Sequence, residues 1–291
     1  MEHTIANDFL RVTVAERGAE LRSLRSADGV EYLWQGDPAY WPDRAPTLFP
    51  FIGRLTDNRC RCYGVEYPMG IHGFAAGSDF TLVEKRDSRL TLALTPSDDT
   101  LRQYPFDFRL EISFRLEENR LEIGYRVENH SERTMPFAIG GHPGFRVPLE
   151  AGEEFTDYTL EFSRVCQPDR VGFTPAVYLS GQDQAYPLEE GRKIRLRHDL
   201  FDEDAVILKN MDRQITLRGG KSGHGVTVTY PRMPYLGIWH MPKTDAPYVC
   251  VEPWTSLPAR QDVIEEFTCK SDMIPLEAGG IYHNTWTISL F

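Results

Sequence analysis

The groups in this chain best suited to moving protons lie in five short segments. Gly140-Gly141-His142-Pro143-Gly144-Phe145 sets one imidazole in a turn whose glycines admit dihedrals closed to other residues and let a ligand approach closely. Pro143 fixes its own φ and restrains His142 toward an extended backbone, so the ring is held. With an ordinary pKa of about 6.5, a histidine gives and takes protons at neutral pH. Four more segments place reactive groups among glycine, proline or aromatic residues: Phe49-Pro50-Phe51-Ile52-Gly53-Arg54-Leu55, Gly70-Ile71-His72-Gly73-Phe74, Phe201-Asp202-Glu203-Asp204-Ala205 and Val251-Glu252-Pro253-Trp254-Thr255. Each also has an ordinary reading: a loop histidine bonded to backbone, an arginine in a surface salt bridge, a solvated acidic turn, a strand-end glutamate paired with arginine. There is no Ser-centred nucleophile elbow, phosphate-cradling glycine loop or HExxH.

The elements that must position these groups read as strands. The clearest alternation is at 108–127, where Phe108, Leu110, Ile112, Phe114 and Leu116 are interleaved with Arg109, Glu111, Ser113 and Arg115. Glu117-Glu118-Asn119 follows, and then Leu121, Ile123, Tyr125 and Val127 share a face. The pattern predicts an antiparallel hairpin whose apolar face needs a second sheet to cover it. A meander is expected over 4–34, with a break at Gly18 and a turn at Asp28-Gly29. Further strands are expected at 134–139, 158–163, 205–209, 213–218, 225–230, 235–241, 248–252 and 282–290. Residues 35–80, rich in proline and aromatics, read as ordered loops between short strands, the kind of segment that commonly carries function. The best helical signal is one or two turns capped by Ser97 and stopped by Pro105. No linker or fixed-period repeat interrupts the chain, so the expectation is all-β, one large antiparallel sandwich over 1–291 with few short helices.

Composition narrows the partners. The 291 residues are 41% hydrophobic, 26% charged and 12% aromatic, as in an ordinary globular protein able to bury a large core. A formal net charge of −11 argues against nucleic acid or an anionic membrane as principal partner, since those require clustered Lys and Arg. Met1 to Asn7 are polar and lead straight into a strand pattern, without a secretory apolar core, so a cytoplasmic location is expected. Five scattered cysteines, Cys60, Cys62, Cys166, Cys250 and Cys269, fit reduced thiols. Cys60-Arg61-Cys62 lacks a second pair at ligand spacing, so no metal site is expected.

Taken together, the turns at Gly53-Arg54-Leu55, His72-Gly73-Phe74 and Gly141-His142-Pro143 and the strand end Glu252-Pro253-Trp254 resemble the aldose 1-epimerase (galactose mutarotase) family, particularly its shorter bacterial branch. The likeness covers nearly the whole chain, and the order and wide spacing of the segments are more specific than any one of them. It implies a β-supersandwich of the galactose mutarotase type, a monosaccharide substrate and no cofactor. By position, Glu252 would take the proton of the anomeric hydroxyl and His142 would protonate the ring oxygen. The logic agrees, because reversible ring opening needs a proton acceptor and a proton donor at two oxygens on one carbon. By the same comparison His72 would stabilise charge developing at the ring oxygen. Arg54 would donate hydrogen bonds to sugar hydroxyls. Asp204, chosen over Asp202 and Glu203 because a strand follows it, would accept them. Trp239 and Trp254 offer aromatic faces to sugar C–H groups, or serve as core aromatics.

The longer members of the family carry Asn-Arg where this chain has Gly53-Arg54, and their histidine lies in a different local sequence, which leaves the sugar's identity open. Three alternatives stand beside epimerisation of a free hexose. A hexose-phosphate mutarotase would need further basic residues near the ligand. A non-catalytic sugar-binding or sensing protein would share the fold. A glycosidase would use two carboxylates such as Asp204 and Glu252. Oligomeric state is not legible in the sequence.

Overall fold

The alternation at 108–127 folds into two ten-residue strands, Phe108–Glu117 and Arg120–Asn129, paired antiparallel with Leu116 opposite Leu121 and Leu110 opposite Val127. Every second side chain is buried. Leaving a Leu or Phe of that face in water would cost roughly 1.5–3 kcal/mol each, so the face must find a partner layer. The computed structural model, which describes residues 1–220 and 223–291, shows what supplies it.

Among the described residues the hairpin belongs to a nine-stranded antiparallel sheet. Its strands run in the order Lys193–Arg195, Tyr158–Phe162, Gln214–Gly219, Gly225–Thr229, Ile281–Leu290, Arg120–Asn129, Phe108–Glu117, Arg89–Leu94 and Thr81–Arg86. A second, eight-stranded sheet has Tyr248–Trp254 near its middle, with Tyr235–Trp239 and then Val206–Lys209 on one side. On its other side lie the two short pieces Gly140–Gly141 and Gly144–Arg146. The meander Glu2–Ala6, Leu10–Ala15 and Leu21–Ser26 forms a three-stranded sheet of its own. One cluster of buried apolar side chains runs from Ile5 through Leu110, Val251 and Trp286 to Leu290.

The two large sheets meet where Gly141 faces Trp286. A Cβ at Gly141 would stand 2.6 Å from the indole, so only glycine lets the strands come this close. The single α-helix described, Asp98–Leu101, has the expected Ser97 cap: Thr100 N–H donates to Ser97 Oγ, and Ser97 N–H donates to Thr100 Oγ1. Strand bounds shift by a residue or two from those read in the sequence. The strand expected at 134–139 shrinks to Met135–Phe137, and the one at 248–252 extends through Pro253 to Trp254. Its neighbour is already interrupted at His142 and Pro143, so a missing N–H at Pro253 disrupts no continuous ladder.

Candidate active site

Strand alternation builds the site. In Tyr248–Trp254, Val249 and Val251 join the core, so Cys250, Glu252 and Trp254 share the opposite face. On the neighbouring strand Trp239 pairs with Cys250, Gly237 with Glu252 and Tyr235 with Trp254. On the other side Gly140 pairs with Trp254 and Gly144 with Cys250. His142 lies midway between those two glycines and therefore opposite Glu252. Two residues 110 positions apart in sequence thus become cross-strand neighbours, the closest relation a sheet offers.

The contact is close. His142 Nε2 stands 3.1 Å from Glu252 Oε2, but the ring N–H is not aligned on the oxygen, so Oε2 has no hydrogen bond and neither does His142 Nδ1. Both side chains are buried; Glu252 keeps 1% of its surface. Burial pushes the Glu252 carboxyl well above the usual carboxylate range, helped by the negative charge of Asp204. Burial also pushes His142 well below its ordinary value, with the neighbouring His72 adding to the shift. Both shifts oppose charge on this pair, as expected for ionisable groups in a dry place.

His72 approaches from the loop after Val65–Pro68, its ring centroid 5.6 Å from that of His142 and nearly perpendicular to it. It is tied to one residue twice: His72 N–H donates to the Gly53 carbonyl at 3.0 Å, and Gly53 N–H donates to His72 Nδ1 at 3.1 Å. Nδ1 is thus an acceptor, and Nε2 carries the ring proton. Crowding by protein, and secondly the positive charge of Arg54, pulls the His72 pKa down to about 4, so the ring is neutral at physiological pH. The backbone of Arg54 is held by Ala259 N–H donating to its carbonyl, while its side chain is exposed and makes no ion pair with any described carboxylate. The surface salt bridge is not what this arginine does.

Asp204, rather than Asp202 or Glu203, is the acid whose charge reaches Glu252, and it is less exposed than the other two. Asp204 also lines a cleft of about 660 Å³ with Thr174, Val177 and Lys243. The cleft's lining includes neither His142 nor Glu252; a separate small cavity of about 20 Å³ touches His142. Asp204, Val177 and Lys243 hold φ of 85°, 64° and 58°. Such backbone is uncommon outside glycine, is a genuine outlier for a β-branched residue, and gathers at functional sites.

The two tryptophans part ways. Trp239 is half-buried and meets His142 edge to face, with centroids 5.7 Å apart. Trp254 is almost wholly buried, lying beside His72 at 6.4 Å. Sequence reasoning passed over two residues. Trp41 lies over the His142 ring at 4.9 Å and 33°, and its only sequence signal was the aromatic, proline-rich character of residues 35–80. Cys250 offers its sulfur within 4.8 Å of the His142 and Glu252 ligand atoms. Its signal was the spacing of two from Glu252 in a strand.

The sequence and the fold both have known relatives. A profile of the family described as Aldose 1-epimerase matches residues 1–279. Protein LacX, plasmid, of Lactococcus lactis subsp. lactis is 34% identical over 285 residues, covering 94% of this chain and 95% of that protein. A galactose mutarotase related enzyme from Lactobacillus acidophilus superposes with a TM-score of 0.95 at 32% identity, covering 100% of this chain and 97% of that one. A galactose mutarotase-like protein from Lactobacillus casei ATCC 334 gives 0.93 at 35%, covering all of both chains.

Proposed function

This chain belongs to the aldose 1-epimerase family, and from that premise we propose that it interconverts the α and β anomers of a free hexose, acting as one 1–291 unit in the cytoplasm. The observation that carries the reading is the cross-strand pair, His142 Nε2 and Glu252 Oε2 at 3.1 Å.

The reaction needs a carboxylate and an imidazolium together, whereas burial opposes both charges; moving one proton from Glu252 to His142 leaves the pair's net charge unchanged, and sugar hydroxyls donating to the carboxylate favour the charged form. Glu252 then removes the O1 proton, the C1–O5 bond breaks as C1=O1 forms, and His142 gives its proton to O5. Rotation about C1–C2 and the reverse steps yield the other anomer, with both residues restored. His72, with its proton on Nε2, is a neutral donor suited to the charge developing at O5. Arg54 and Asp204 donate to and accept from the remaining hydroxyls, and Trp239 packs on ring C–H groups. Trp254 is too buried for open contact with sugar.

An unphosphorylated ring is favoured because the cleft carries Asp202, Glu203 and Asp204 against Arg170 and Lys243, an excess of negative charge. The test follows mutarotation of freshly dissolved α-D-glucose, α-D-galactose and their 6-phosphates by polarimetry or NMR. Acceleration of a free sugar by wild type, lost in both His142→Ala and Glu252→Gln, is expected. Saturable sugar binding without acceleration would assign the chain a sensing role, and preference for a 6-phosphate would overturn the free-sugar reading.

A further inference from the structure

We propose that Cys250 completes, with His142 and Glu252, a three-donor site for a borderline-soft divalent cation, Zn²⁺ being the type, and that occupation of this site switches the acid/base pair off. Cys250 and Glu252 project from the same face of Tyr248–Trp254, and the register sets them opposite Gly144 and His142. The donors therefore converge through strand alternation and pairing. One ligand atom from each lies within 4.8 Å of the other two.

Around a four-coordinate zinc, with bonds of about 2.0 Å to N or O and 2.3 Å to S, donors stand roughly 3.3–3.5 Å apart. The His142–Glu252 separation of 3.1 Å is already near that edge length, so the sulfur alone has to close in. Glu252 Oε2 is a buried acceptor without a hydrogen bond, the kind of group that gains most from a ligand.

Charge favours the same cation. One thiolate, one carboxylate and a neutral imidazole around M²⁺ sum to zero, so the filled site carries no net charge into the protein interior. Binding releases the Cys250 thiol proton, and the Glu252 carboxyl proton where it is present, to solvent. Thiolate and imidazole select Zn²⁺, or Co²⁺ and Cd²⁺ in its place, over Mg²⁺ and Ca²⁺, which prefer sets of oxygen ligands. The fourth position stays open for water or a sugar hydroxyl. With Glu252 and His142 both bound to the cation, neither can accept or deliver a proton.

Metal binding is read directly and does not depend on the epimerase reading; the switching-off rests on that reading and is read as loss of mutarotation at saturating zinc, restored by chelation, with unchanged mutarotation at saturating zinc overturning it. The purified chain, freed of metal and kept reduced with a non-chelating phosphine, is titrated with ZnCl₂ by calorimetry and with CoCl₂ by absorption. The expected result is one equivalent bound, with a thiolate-to-cobalt charge-transfer band and the visible bands of four-coordinate cobalt. Cys250→Ser should lose the charge-transfer band and weaken zinc at least as much as removal of an outer-sphere partner does, about 10–100-fold. His142→Ala should weaken zinc similarly. Cys60→Ser, which alters a buried thiol remote from any His, Asp or Glu donor set among the described residues, should behave as wild type. Far-ultraviolet circular dichroism of each variant establishes that it is folded. Absence of binding at millimolar zinc, or an unchanged cobalt spectrum in Cys250→Ser, would overturn the proposal.

Discussion

Gly237 lies directly opposite Glu252 in the sheet, and the side chain it lacks is the room that the Glu252 carboxyl and the Trp254 ring occupy. A Cβ there would meet Trp254 Cζ2 at 3.1 Å, Glu252 Cβ at 3.3 Å and Glu252 Cδ at 3.4 Å. The site is therefore built side by side across the sheet: one strand gives space, the next the carboxylate, and the break between Gly140–Gly141 and Gly144–Arg146 the imidazole.

Gly237→Ala should accordingly affect activity more than stability. The neighbours must give by a few tenths of an ångström, moving the carboxyl off its line to the sugar. Turnover should fall on the order of 10-fold or more, since small misplacements of reacting groups are costly. The melting temperature should change by only a few degrees, in keeping with about 1 kcal/mol of overpacking. Polarimetric kcat and calorimetric Tm on one preparation check both.

Glu252→Gln keeps shape and removes the proton acceptor, so kcat for anomer exchange should drop about 10²–10⁴-fold, the usual worth of a positioned acid or base. His142→Ala should fall in the same range. Because the two act as a unit, the double variant should be little worse than the poorer single one. NMR exchange rates on a free hexose would show it; additive losses would mean the residues do not work on one proton path.

Gly141→Ala should destabilise the whole protein. Its Cβ would stand 2.6 Å from the buried Trp286 ring, and the cavity beside that indole, about 20 Å³, is too small to receive it. Overpacking of this kind costs roughly 1–3 kcal/mol. Denaturant unfolding should show a lower midpoint with an unchanged slope, and a Gly141→Ala, Trp286→Phe double variant should recover part of the loss.

His240 should make stability fall with acid. It is fully buried, donates from Nδ1 to the Met241 carbonyl at 2.8 Å, and accepts at Nε2 from His198 Nδ1 at 3.0 Å. Burial pulls its pKa down to about 4 from an unfolded value of 6.5. The unfolded chain thus takes up a proton first as pH drops. This contribution is complete above pH 6.5 and is lost progressively between 6.5 and about 4, amounting to about 3 kcal/mol. His72, also held near 4, acts in the same direction. Unfolding free energies at several pH values should fall across that window, and less steeply for His240→Phe.

The fold was legible because its signal is local. Alternation at 108–127 names the buried face of both hairpin strands, and Ser97 names the helix start. The turns carrying His72, His142 and Arg54 were legible for the same reason, through glycines that open, and prolines that restrict, a few bonds at a time.

Which side chains share a site is a different matter. Register, a long-range property, set His142 across from Glu252, brought Cys250 beside them and gave Gly237 its purpose. Burial, which exists only once the sheets have packed, pushes the carboxyl's pKa up and the imidazole's down. The sequence by itself determined which strands form and which residues could carry protons. Tertiary structure alone decided who faces whom and in what charge state, because pairing geometry and desolvation belong to the assembled sheets and to no single segment of the chain.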